Sequence, residues 1–143
     1  MSNSQYDSLK LENQLCFPLY VAAKETIRLY KPFLDELDLT YTQYITMMLL
    51  WEHSTMTVKE LGDRLYLDSG TLTPLLKKLE KKGFITRTRS YKDERNLDIS
   101  LTAVGMELRD KALKVPREMA KCVKLTNEEA YQLYTLIYKL IKQ

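Results

Sequence analysis

At 143 residues the chain is one domain's worth of sequence, long enough to bury a core without disulfides. Cys16 and Cys122 have no His or Cys neighbour at metal-ligand spacing, so neither a metal site nor a secreted disulfide framework is expected. The formal net charge is only +3, no apolar run approaches the roughly 18 to 20 residues of a membrane span, and the polar start Met1-Ser-Asn-Ser-Gln5 lacks a signal peptide's regions; a cytoplasmic protein with no membrane partner is expected.

In chain order, Leu15, Leu19, Ala22, Ala23, Ile27 and Tyr30 hold helical spacing and predict a first helix. Pro18 leaves its start open. If Asn13 caps the helix, Pro18 falls in the first turn and Cys16 sits among unpaired N–H groups; if the helix starts earlier, Pro18 kinks it. Thr40-Tyr-Thr-Gln43 is a capping box leading into a second helix through Trp51, with His53 at its end.

Thr57-Val-Lys-Glu60 is another capping box and opens a short helix. Asp68-Ser-Gly-Thr71 offers caps for the next, in which Leu72, Leu75, Leu76 and Leu79 share one face. The opposite face holds Gly70, Pro74, Lys77 and Lys81, flanked by Thr71, Thr73 and Lys78. Gly83 stands where a helix ends, Phe84 to Arg89 alternates as a strand, Ser90 to Arg95 supplies a polar turn, and Asn96 to Leu101 returns. Two helices at a sharp turn followed by a basic hairpin make a winged helix-turn-helix, assigned to 41–101. Thr102 is read as the cap of a helix running toward Lys121, and Thr126-Asn-Glu-Glu129 caps a last one. The fold is thus mainly α, about six helices with one small β-hairpin wing. Segments 1–40 and 102–143 carry apolar faces that a short DNA module cannot cover, which predicts dimerisation helices and a two-fold homodimer.

Charge is localised. Thr71 to Arg95 holds eight Lys or Arg against three acids, a net of +5, so the other 118 residues sum to −2. A basic stripe on a balanced protein is the footprint of a nucleic-acid site. Ser69, Thr71, Thr73, Pro74, Lys77 and Lys78 are expected to face the major groove of a double-stranded DNA operator, with Arg89 on the wing strand, Arg95 at the wing tip, and Asp93 orienting Arg95.

The segments Gln14-Leu-Cys-Phe17, Leu39 to Tyr44, Leu67 to Lys77, Asp93-Glu-Arg95 and Ile99-Ser-Leu-Thr102 together resemble the MarR family of winged-helix regulators. The cysteine with its well-placed tyrosines is similar to the family's organic-hydroperoxide-sensing, OhrR-like branch and to the SarZ and MgrA regulators. The resemblance covers nearly the whole of 1–143 as a single domain. It implies a dimeric repressor on a pseudo-palindromic operator, released when organic hydroperoxide oxidises Cys16. It places Tyr30 and Tyr41 of the other subunit, and less closely Tyr20, as hydrogen-bond donors to the Cys16 thiolate. Cys122 is then either a resolving cysteine for the oxidised sensor or a packing residue, a small thiol closing the mixed disulfide in the second case.

Two other readings stand beside this one. The first is a MarR-type repressor released by a small aromatic ligand bound in the cleft between dimer helices and wings, with Cys16 structural. The other, a thiol peroxidase, lacks any Cys-x-x-Cys or any Arg or His close to either cysteine, so no enzyme, no catalytic residue and no cofactor is expected.

Overall fold

The computed structural model describes residues 4–89 and 97–142. Two short 3-10 turns, Asp7–Leu9 and Leu11–Asn13, lead into α1 (Cys16–Asp35), followed by α2 (Tyr41–His53), β1 (Thr55–Thr57), α3 (Val58–Leu65), α4 (Ser69–Lys81), β2 (Ile85–Arg89), β3 (Leu97–Leu101), α5 (Ala103–Ala112), α6 (Lys114–Cys122) and α7 (Asn127–Ile141).

The helix starts follow the local chemistry of their caps. Thr40, Thr57 and Thr126 each close a reciprocal capping box with the side chain three residues on, and Asp68 and Thr102 accept the N–H of Thr71 and Gly105. At α1 neither alternative for the start holds: the cap position is Leu15, later than Asn13, and it offers no side-chain bond. Asn13 and Gln14 instead donate back to the carbonyls of Asp7, Ser8 and Lys10, knitting the preceding turns together. Cys16 is the first helical residue and Pro18 the third, where a missing N–H costs no helical bond.

Two further expectations change. The helix read from Thr102 toward Lys121 is two helices, α5 and α6, meeting at Leu113. Pro116 has no N–H for the Ala112 carbonyl and its ring would collide with that carbonyl in a continuous helix, which is why the helix breaks at Leu113. The hairpin is joined by a third strand: β1 pairs antiparallel with β3, Met56 opposite Ile99, giving the order β1-β3-β2. Thr57 serves twice, because the extended backbone of a helix cap also suits the last residue of a strand.

The core gathers Leu37, Leu39, Met47, Leu50, Leu61, Leu72, Leu76, Leu79, Ile85, Ile99 and Val115 from every layer of the helix-turn-helix. Trp51 Nε1 donates to the Gly105 carbonyl at 2.9 Å, tying α2 to α5. The outer helices stand apart from this core. Leu34 is the only buried residue of α1, and α7 buries none. No helix among the described residues is long and apolar enough to cross a membrane.

Candidate DNA-binding surface and thiol sensor

Helix α4 presents two faces of opposite character. Leu72, Leu75, Leu76 and Leu79 are buried, while Ser69, Gly70, Thr71, Pro74, Lys77, Lys78 and Lys81 are exposed. Thr73 is half-buried and lines a cavity of about 440 Å³ between α3, α4 and the wing, together with Leu72, Leu76, Arg87 and Leu97. Pro74 leaves the Gly70 carbonyl without a helical partner on the exposed face, where water can satisfy it.

The basic stripe divides in two. Arg87 is held against α4: its Nε and a terminal nitrogen each lie 3.1 Å from Glu80 Oε1, and its backbone N–H donates to Glu80 Oε2 at 3.2 Å. Lys82 turns away from the outward face and donates to the Asp38 carbonyl and to Gln43 Oε1. The outward cations of α4 are therefore Lys77, Lys78 and Lys81, with Arg89 exposed at the far end of β2. Asp93 and Arg95 lie outside the described residues. Replacing Lys77 by Ala is expected to weaken binding to all duplexes alike and to lower the salt slope of the binding constant by about one unit. Titrations across a salt series check this, and an unchanged slope removes Lys77 from the phosphate contacts.

The second constellation is aromatic. Tyr30 from α1 and Tyr41 from the start of α2 have ring centroids 5.0 Å apart, and Tyr44 lies 5.9 Å and 6.4 Å from them. Trp51 meets Tyr44 edge-on at 6.4 Å. Within one chain Cys16 is remote from this cluster, since Tyr30 lies 14 positions further along the helix, roughly 21 Å of rise. Tyr20 is exposed one turn beyond Cys16, with Lys24 Nζ 5.6 Å from its ring centre. The structure thus brings Tyr30 and Tyr41 together and leaves Cys16 exposed at the other end of α1. Cys122 ends α6, half-buried, its S–H donating to the Glu118 carbonyl at 3.5 Å. Tyr44 was not expected as part of the cluster; its i, i+3 spacing from Tyr41 was the available signal.

Burial raises the phenol of Tyr44 from the usual 10.0 to about 12, with Tyr30 and Tyr41 adding to the effect. Burial raises Tyr30 and Tyr41 as well. All three phenols stay protonated donors at neutral pH. Folded phenols that hold protons longer than unfolded ones contribute stability that is complete below pH 10 and is lost as pH climbs toward 12. Denaturation midpoints are expected to fall across that window, with part of the fall absent in Tyr44→Phe. An identical fall in the variant dissociates Tyr44 from the effect.

A last apolar surface runs between α1 and α7. Leu15, Leu19, Leu133, Leu136, Ile137 and Leu140 line a cavity of about 430 Å³ there, and Leu133, Leu136, Leu140 and Ile141 remain exposed.

The family model of the transcriptional regulator SarA/Rot matches residues 28–112, which span the last eight residues of α1, the whole winged helix-turn-helix and α5. The chain belongs to the SarA/Rot family of transcriptional regulators. Among its relatives, the organic hydroperoxide resistance transcriptional regulator of Bacillus subtilis (strain 168) is 50% identical over 139 residues, 97% of this chain and 95% of that protein. SarZ of Staphylococcus aureus (strain USA300) is 56% identical over 106 residues, 74% of this chain and 68% of SarZ. Of solved structures, reduced AbfR bound to DNA superposes with a TM-score of 0.81 at 31% identity, covering 97% of this chain and 95% of AbfR. AbfR of Staphylococcus epidermidis has also been solved overoxidised on DNA, TM-score 0.78 with 32% identity over 97% and 98% of the chains, and in a disulfide-formed state, TM-score 0.66 with 33% identity over 99% of each. The family, the Bacillus subtilis relative and SarZ are regulators of transcription.

Proposed function

We propose that the chain is a redox-sensing repressor, a two-fold homodimer that grips a pseudo-palindromic double-stranded operator while Cys16 is reduced and lets go when organic hydroperoxide oxidises it. The observation that carries this reading is the division of α4 into a buried leucine face and an outward face of Ser69, Thr71, Pro74, Lys77 and Lys78. Such a helix, followed by a wing, fits a major groove. Two half-sites one DNA turn apart need two copies, and the uncovered apolar faces of α1 and α7 are where the second copy packs.

In that dimer the first helix of one subunit reaches the tyrosines of the other, which reconciles the distance between Cys16 and the Tyr30–Tyr41 pair. The Cys16 thiolate attacks the peroxide O–O bond: an S–O bond forms, the O–O bond breaks, sulfur is oxidised to the sulfenic acid and the peroxide leaves as an alkoxide that takes a proton from solvent. The sulfenic acid then meets a thiol, Cys122 of the second copy or a small cellular thiol, giving a disulfide and water. Retention of the protein by an operator fragment, before and after an alkyl hydroperoxide and again after a reductant, tests the reading. Reversible loss is expected; binding indifferent to the oxidant overturns it.

On non-reducing gels the oxidised wild type is expected as a covalent dimer, absent in both Cys16→Ser and Cys122→Ser. Oxidised protein that runs as a monomer carrying only a small-thiol adduct returns Cys122 to packing.

A second reading keeps the repressor and changes the signal. The cavity of about 440 Å³ beside the wing, lined by Leu72, Leu76, Thr73 and Arg87, has the size and mixed polarity that a small aromatic acid fills. Release by a salicylate-like compound in Cys16→Ser protein favours it.

A further inference from the structure

Lys82 caps the C-terminal end of α4, in the middle of a run of cations, yet its side chain is only 26% exposed. Its ammonium donates to the Asp38 carbonyl and, at 3.1 Å, to Gln43 Oε1, with the Asp38 carboxylate 3.7 Å away. Both acceptors belong to the α1–α2 corner. Asp38 is held at φ 57 between the buried Leu37 and Leu39, and Gln43 is 3% exposed. The Gln43 oxygen also accepts the Thr40 N–H at 3.0 Å, so the capping box of α2 and the end of α4 share one oxygen.

That corner borders the aromatic cluster. Tyr41 is the first residue of α2, inside the same capping turn, and its ring packs on Tyr30. Tyr41 and Gln43 share the first turn of α2, and Lys82 joins that turn to the end of α4. The neighbouring residue is fixed as well: the Gly83 carbonyl accepts Thr102 Oγ1 at 2.6 Å.

We propose that Lys82 is a positioning residue that couples the tyrosine cluster to the recognition helix, rather than one of the cations that neutralise phosphate. The inference rests on the reading of α4 as the DNA-contacting helix and adds the route by which the α1–α2 corner sets its pose. Coupling is reciprocal, so DNA held by α4 stiffens the α2 cap just as changes at the cap alter DNA binding.

The test is amide hydrogen exchange of Thr40 and Gln43, both donors of the capping box, in free protein and in protein saturated with a duplex selected from a random-sequence pool. In the wild type the duplex is expected to slow exchange at both amides at least about fivefold, the lower end of ordinary allosteric coupling. In Lys82→Met, which keeps the stem and removes the donors, the duplex is expected still to bind, with an unchanged salt slope, but to leave exchange at those amides within about twofold of the free variant. Lys82→Arg is expected to restore the protection. Equal protection in Lys82→Met and the wild type overturns the coupling, and so does a salt slope lowered by about one unit, which makes Lys82 a phosphate contact. The wild type alone decides the matter if the variant does not fold: bound duplex with no protection at Thr40 and Gln43 sinks the coupling only, whereas no duplex bound at all sinks the DNA-binding reading and the coupling with it.

Discussion

Gly105→Ala is expected to lower the melting temperature by about 10 °C, a loss of about 3 kcal/mol in a domain of this size. Gly105 is the third residue of α5, and a Cβ built on it lies 2.1 Å from the Phe84 carbonyl oxygen and 3.0 Å from Leu101 Cδ2. The first contact is with backbone, so no rotamer relieves it. Nor can either backbone retreat without loss. The Phe84 carbonyl accepts the Thr102 N–H at 3.1 Å, the Gly105 N–H donates to Thr102 Oγ1 at 3.0 Å, and the Gly105 carbonyl receives Trp51 Nε1. Overpacking of ordinary cores costs roughly 1 to 3 kcal/mol, and a backbone clash surrounded by three hydrogen bonds belongs at the top of that range. Phe84 leads directly into β2, so operator affinity should fall with stability. Thermal unfolding followed by circular dichroism measures the first effect; a melting temperature within about 3 °C of wild type shows that α5 slides off the wing at little cost.

The second large effect is functional. Cys16→Ser is expected to bind operator as the wild type does and to ignore an oxidant that weakens wild-type binding by about 5- to 150-fold, the usual range of coupling between two sites. Cys16 is exposed at the start of α1 and packs into no core, so serine costs the fold nothing it can feel. A hydroxyl does not displace oxygen from a peroxide and forms no sulfenic acid. Fluorescence anisotropy of a labelled operator, titrated with protein before and after an alkyl hydroperoxide, reads both quantities. Release of the variant at the same dose places the sensor elsewhere.

What was legible in the sequence was what the chain decides locally. A Thr answered by Glu or Gln three residues later forms its box without help from the rest of the molecule, and all three boxes stand where they were read. The leucine spacing of α4 and the left-handed Gly83, at φ 83, are equally local. Strand β1 was missed because three residues are too few to show a period of two, and its pairing depends on β3, more than forty residues away. Pro116 was in plain view, but the apolar period runs through it and hid the break at Leu113. Charge counting failed in a more instructive way. Eight cations were read as one stripe, whereas Arg87 and Lys82 are engaged by Glu80, Asp38 and Gln43, contacts that no spacing rule foretells.

The clasp of Glu80 on Arg87 has a consequence for how such a regulator acquires new targets. It lies on the side of α4 turned toward the wing, opposite Thr71 and Lys78 around the helix, and it holds β2 by side chain and backbone at once. The wing is thereby held by Glu80 rather than by Thr71, Lys77 or Lys78. On the proposed reading of α4, exchanging Thr71, Lys77 or Lys78 leaves the clasp on the wing in place, so a duplicated copy of this gene is free to drift to a different operator one side chain at a time while the scaffold beneath goes on folding as before.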